Sequence, residues 1–215
     1  MKTPAQWLEI LTECGVKPGT AVRWADALAE TVMKSSFSKG DEEIDDWLAN
    51  CLHESAMLER MEESLNYSAD ALIASFGRHR ISILDAERYG RTAAHPANQP
   101  AIANCLYGGE WGRKNLGNTA PGDGWLYRGS GLIQVTGLSN FAFLEHLTGL
   151  PLVANPDMLR RPGHEAIIIA IAWWEGKVPD AIIGNVRQTR KVVNGGDKGL
   201  EHVAALTDKL GDALA

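Results

Sequence analysis

Apolar positions in the first part of the chain recur at helical intervals. Trp7, Leu8, Ile10 and Leu11 form one short stripe. Trp24, Leu28 and Val32 form a second at i, i+4, i+8, with the turn Val16-Lys17-Pro18-Gly19 between them. A polar connection over residues 35–40 leads to the best-defined amphipathic segment. There, residues 41–58 set Ile44, Trp47, Leu48, Cys51 and Leu52 on one helical face. From 77 to 131 the pattern breaks into short apolar groups among scattered glycine and proline, which predicts loops with short helices between them. Helical patterning returns over 141–147 and 162–174, the latter apolar on nearly every side and so expected at the centre of the fold. Two shorter helices are expected over 186–193 and 199–214, with Asn194-Gly195-Gly196 as the stop between them. Alternating segments are so few that a small hairpin around 125–135 is the most β structure expected, and the class is mainly α.

Composition narrows the partners. A chain of 215 residues with 45% hydrophobic and 22% charged residues can build a core, which excludes a disordered or fibrous protein. Lys and Arg number 21 against 27 Asp and Glu, and the resulting net charge of −6 argues against a mainly electrostatic grip on nucleic acid or an anionic membrane. Cys14, Cys51 and Cys105 are odd in number and widely spaced, as expected of thiols made in a reducing cytoplasm. No secretory signal is expected, because Gln6, Glu9 and Glu13 interrupt the first apolar residues. The longest apolar run, 166–174, is roughly half a bilayer span, so stable membrane insertion is not expected.

Candidate chemistry begins at His53-Glu54-Ser55, near the end of the 41–58 segment. Seven residues turn a helix by about 700°, so Glu54 sits about 20° from Trp47, at the edge of an apolar stripe. Apolar neighbours would raise a carboxyl pKa, the condition a general acid needs near neutrality. A solvent-facing residue at a helix end is the simpler reading of this feature alone. Glu62 and Glu63 supply a second carboxylate pair within ten residues. In an unbroken helix Glu63 would lie about 180° around from Glu54, so a shared site requires the helix to break, expected near 59–62; helix geometry alone slightly favours Glu62.

The segment Tyr127-Arg128-Gly129-Ser130-Gly131-Leu132-Ile133-Gln134-Val135-Thr136-Gly137, followed by Asn140, joins glycines that admit a close ligand to neutral donors and acceptors suited to sugar hydroxyl and acetamido groups. No Gly-Lys-Ser/Thr follows these glycines, against a phosphate loop, and Met57 stands where H-E-x-x-H needs its second histidine. His79, His95, His146, His164 and His202 lack ligand spacing and read as surface or capping residues, and Ser130 lacks the flanks of a nucleophile elbow. Acid/base chemistry without metal or cofactor is what remains.

Three separated segments together resemble the family 19 glycoside hydrolases, especially their phage endolysin branch. They are His53-Glu54-Ser55 with Glu62-Glu63-Ser64-Leu65-Asn66-Tyr67-Ser68, the Tyr127 to Gly137 segment, and Thr189-Arg190-Lys191-Val192-Val193-Asn194-Gly195-Gly196. The resemblance covers residues 45–205. It implies one catalytic domain over 1–215, with N-terminal helices over 1–40 and a lysozyme-like two-lobed core over 41–215 around a sugar cleft. The implied reaction is inverting hydrolysis of β-1,4 bonds between N-acetylated amino sugars. Glu54 matches the family's general acid, Glu63 its general base, and Thr136 the residue that helps hold the attacking water. Gln134, Asn140 and Asn194 match sugar-binding positions, and Tyr67 is expected to line the cleft. Three departures stand out: Ala56-Met57 where the family usually has glycines, Ser130 for a frequent arginine, and His202-Val203 near the place of a basic residue after Asn-Gly-Gly.

Free thiols and the absence of a signal favour an endolysin over a secreted, disulfide-bearing chitinase, and peptidoglycan glycan strands over chitin. The expected protein is a monomer made in the host bacterial cytoplasm, reaching the periplasmic wall after a holin-type partner opens the membrane. Chitinase, lytic transglycosylase and a non-catalytic wall-binding protein are the competing readings.

Overall fold

The computed structural model describes residues 2–214, and it is mainly helical. In chain order the helices are α1 (Pro4–Glu13), α2 (Pro18–Thr31), α3 (Ile44–Glu54), α4 (Ala69–Phe76), α5 (Ile83–Tyr89), α6 (Gln99–Tyr107), α7 (Gly109–Leu116), α8 (Asp123–Leu126), α9 (Leu138–Thr148), α10 (His164–Lys177), α11 (Val186–Asn194) and α12 (Leu200–Leu214). Local chemistry sets many of their starts. Thr3 and Gln6 form a capping box on α1, whose first residue is proline, and the side chains of Ser68, Ser82, Asn98 and Asn185 cap α4, α5, α6 and α11. The predicted stop after α11 is present, with Gly195 at φ +79.

Two separate hydrophobic cores give the molecule two lobes. The larger joins α1, α2, α3, α9, α10 and α12, with Trp7, Trp24, Trp47 and Trp174 sealed inside it. The predicted central helix is α10, which packs on α2, α3 and α9. Its buried Trp174 donates its indole N–H to the buried carboxylate of Glu43 at 2.9 Å, fixing α10 to the start of α3. The smaller core is built by Leu65, Leu72, Ile81, Ala86, Ile102 and Leu106. Each such fully buried aliphatic side chain contributes on the order of 1.5–3 kcal/mol, so each lobe has its own source of cohesion.

The chain crosses between lobes at two adjacent places. Met61 belongs to the larger core and Leu65 to the smaller, while Trp125 packs on the smaller core and Tyr127 is buried in the larger. The crossings pair: the Gly131 N–H donates to the Met61 carbonyl (2.8 Å) and the Glu63 N–H to the Gly129 carbonyl (2.9 Å).

One expectation is corrected here. The helix expected to run to residue 58 ends at Glu54, several residues before the break placed near 59–62. The buried Ser55 hydroxyl stops it, donating to the Cys51 carbonyl at 2.7 Å and accepting the Leu58 N–H at 2.9 Å, while Ala56, Met57 and Leu58 all take positive φ. The β structure stays within the expected limit of at most a small hairpin around 125–135: 123–126 is the short helix α8, and among the described residues β pairing is limited to isolated bridges, including Glu62 with Ser130 and Ser130 with Val135. No helix among the described residues is long and apolar enough to cross a membrane.

Candidate active site

Glu54 closes α3, where it continues a polar stripe with Asp46 and Asn50 at intervals of four residues. This stripe faces α11. The Asn50 side-chain amide donates to the Asp46 carbonyl at 2.9 Å, and its oxygen accepts from Arg190 Nη1 at 3.2 Å. Arg190 Nε donates to the Lys198 carbonyl at 2.9 Å, and Nη2 lies 2.6 Å from Glu54 Oε1. The Arg190 side chain is 0% exposed and that of Glu54 19%, so the pair is screened from bulk water while one edge of Glu54 stays accessible. The apolar setting expected for Glu54 left out the guanidinium that stands beside its carboxylate. Sequence reasoning looked for that cation after Asn194-Gly195-Gly196, whereas the structure supplies it from one helical turn before Asn194.

The residue standing in that expected place, His202, meets His53 instead. It is exposed, as expected, and the two Nδ1 atoms are 2.9 Å apart, so one ring donates to the other. Burial, then the charge of Arg190, pushes His53 below its ordinary pKa, and the nearby carboxylate of Glu54 opposes them.

Glu63 lies where the chain crosses between lobes. Its Oε2 accepts the Tyr107 hydroxyl at 2.7 Å and its Oε1 accepts the Gly129 N–H at 2.5 Å. Gly129 is a point of close approach: a Cβ there would stand 3.1 Å from Glu63 Oε1 and 3.2 Å from Gln134 Oε1. The Gly-rich segment thus brings Gln134 and Glu63 to one place. Gln134, at φ +53, donates from Nε2 to the Gly131 carbonyl. The Thr136 hydroxyl donates to the Gln134 carbonyl at 3.1 Å, and Asn140 Nδ2 to the Thr136 carbonyl at 2.8 Å. All three side chains are half-buried.

Glu62 has a different setting. Arg128 Nε donates to its Oε1 at 2.6 Å, and the same guanidinium stacks 3.6 Å over the Trp125 ring. Its charge is matched within a strap that ties the two crossings together, so the small advantage that helix geometry gave Glu62 disappears once α3 ends at Glu54.

Tyr67 is half-buried beside the smaller core, its ring edge-on to Phe76 at 5.5 Å. Asn194 is exposed at the end of α11, one turn beyond Arg190 and on the same face. The structure therefore groups Glu63, Gln134, Thr136 and Asn140 in one cluster and Glu54 with the α11 end in another. Sequence reasoning missed Tyr107, Arg190 and the Asp46-Asn50 stripe. The i, i+4, i+8 spacing of Asp46, Asn50 and Glu54 was a usable signal; nothing in spacing pointed to Tyr107.

Among the described residues no group of three or more His, Cys, Asp or Glu side chains is arranged to hold a metal ion. What the arrangement offers chemically is two carboxylates in unlike settings, one beside a buried cation and one held by neutral donors.

Comparison with known proteins bears on the family and the fold. No family model matches the chain. A glycosyl hydrolase family 19 domain-containing protein of Haemophilus influenzae is 33% identical over 156 residues, 72% of each chain. Chitinase C from Streptomyces griseus HUT6037 superposes with a TM-score of 0.53 at 17% identity, covering 99% of this chain and 76% of that one. A mutant of chitinase C gives the same score at 16% identity, with 97% and 76% covered. The fold is accordingly that of a lysozyme-like family 19 chitinase, and the chain belongs to glycosyl hydrolase family 19.

Proposed function

We propose that this chain is a peptidoglycan-degrading endolysin that hydrolyses β-1,4 bonds between N-acetylated amino sugars with inversion, using Glu54 as general acid and Glu63 as general base. The observation that carries the reading is the setting of Glu63. Its carboxylate is fixed by two neutral donors near Gln134, whereas Glu62 is matched by Arg128. A base needs affinity for the proton it draws from water, and a guanidinium partner lowers that affinity by favouring the ionised carboxylate.

In this mechanism Glu54 protonates the leaving oxygen while Glu63 removes a proton from a water on the opposite face of the sugar. Thr136 helps to hold that water: its hydroxyl proton is directed to the Gln134 carbonyl, which leaves the oxygen free to accept. Gln134, Asn140, Asn194 and Tyr67 bind the sugars. No cofactor enters. The enzyme acts as a monomer and is made in a bacterial cytoplasm; a holin-type partner opens its way to the wall. The three free thiols support peptidoglycan over the substrate of a secreted chitinase.

A second reading, chitin as substrate on the same site, is favoured by the names of the structural neighbours. Mass analysis of products from purified peptidoglycan and from chitin oligomers decides between them. Reducing ends from peptidoglycan support the proposal, anhydro sugars identify a lytic transglycosylase, and cleavage of chitin alone identifies a chitinase. Glu54→Gln and Glu63→Gln should each abolish wall clearing in folded protein while Glu62→Gln is much milder. The reverse ranking of the neighbours would move the base to Glu62. Binding without clearing in the unsubstituted protein would make it a wall-binding protein.

A further inference from the structure

We infer that Tyr107 is the positioning residue of the general base, fixing the Glu63 carboxylate through its phenol hydroxyl; this rests on the assignment of Glu63 above. Tyr107 is the last residue of α6, on the smaller lobe, and its hydroxyl donates to Glu63 Oε2 at 2.7 Å. Gly129 N–H takes the other oxygen at 2.5 Å, so each carboxylate oxygen has one donor and the plane of the group is set. Each oxygen retains a further acceptor position. A base held this way is oriented without being neutralised, in contrast to Glu62, whose partner is a full positive charge.

Tyr107 is itself fixed from several sides, chiefly through its backbone. Its carbonyl accepts Asn118 Nδ2 at 2.8 Å, and Gly112 lies so close that a Cβ there would stand 1.9 Å from that carbonyl oxygen. Arg80 donates from Nε to the neighbouring Leu106 carbonyl at 2.9 Å and has its guanidinium 6.0 Å from the Tyr107 ring centre and 3.2 Å from that of Trp111. Burial, followed by the adjacent Glu63 carboxylate and then the Tyr67 phenol, holds the Tyr107 hydroxyl well above its ordinary pKa, with Arg80 opposing. The phenol therefore stays protonated, a donor to Glu63 at any working pH. The charged and titratable groups around this contact are Glu63, Tyr67 and Arg80, with the Glu62 and Arg128 pair on the adjoining crossing.

The test is Tyr107→Phe, which keeps the ring and removes the donor. One hydrogen bond to a charged group corresponds to on the order of tenfold to a hundredfold in kcat, with KM within about twofold. The acid limb of the kcat profile should move to higher pH, because a donor to the ionised form has been lost. Thermal unfolding of the variant controls for the fold. An unchanged acid limb overturns the inference, whether kcat is also unchanged or has fallen equally at every pH as for a purely structural tyrosine. Glu63→Gln measured alongside separates two failures. Activity retained there refutes the base assignment and this inference with it, whereas an inactive Glu63→Gln beside a silent Tyr107→Phe refutes the positioning role alone.

Discussion

Arg190, sealed inside the protein, holds its guanidinium Nη2 2.6 Å from Glu54 Oε1. Three groups from two segments partner this cation: Glu54 and Asn50 on α3 and the Lys198 carbonyl in the loop before α12. One side chain therefore joins the end of α3 to the Asn-Gly-Gly turn, and the position of Glu54 depends on α11 being in place.

Removing that cation should be costly. Arg190→Met leaves Glu54 without its counter-charge and the Asn50 oxygen without a donor. A buried pair broken on one side typically costs about 3–5 kcal/mol, and urea denaturation should show a loss of that size together with loss of activity. Arg190→Lys keeps the charge without the planar fork, so it should fall between the two. Wild-type stability in Arg190→Met would show that the pair is incidental.

Three consecutive non-glycine residues, Ala56, Met57 and Leu58, have φ of 50, 62 and 65. The first two are the positions where the family usually carries glycine, and their left-handed backbone supplies the reason. Left-handed geometry costs an L-residue about 1–2 kcal/mol, of which the greater chain entropy of unfolded glycine takes back about 0.5–1. Ala56 is exposed, so Ala56→Gly should raise stability by roughly 0.5–1 kcal/mol in chemical denaturation. Leu58→Gly should instead destabilise, since Leu58 is buried in the larger core.

Asp46 introduces a pH dependence. Burial raises its pKa to about 6, with the Thr189 hydroxyl opposing and the charges of Asp45 and Glu43 adding. The unfolded chain ionises this group first, so stability should fall as pH rises from the ordinary carboxylate range through about 6. Two pH units correspond to roughly 3 kcal/mol as an upper bound. Asp46→Asn should remove this slope, which urea unfolding at several pH values would measure; an identical slope in both proteins would place its origin elsewhere.

Gly129→Ala tests the close approach beneath Glu63. The added methyl would stand 3.1 Å from Glu63 Oε1 and 3.2 Å from Gln134 Oε1, so both side chains must give by a few tenths of an ångström. Catalytic geometry tolerates such shifts poorly: a misplacement near 1 Å costs about a hundredfold, so a loss of tenfold or more in kcat is expected with little change in Tm. Full activity in this variant would show that the carboxylate has room to spare.

Local pattern in the sequence determined the helices and much of the candidate site. The apolar faces of α3 and α10 were legible because burial requires a helical period, and the end of α11 because Gly195 accepts a left-handed backbone. Glu54, Glu63, Gln134 and Thr136 were legible because motif order and spacing survive without coordinates. Only the tertiary structure decided where α3 stops, since a side-chain hydroxyl and three left-handed residues leave no periodic trace. It also decided which cation meets Glu54 and which hydroxyl meets Glu63. Arg190 is 136 positions from its carboxylate and Tyr107 is 44 from its own, contacts that packing of the two lobes creates and that no local pattern encodes.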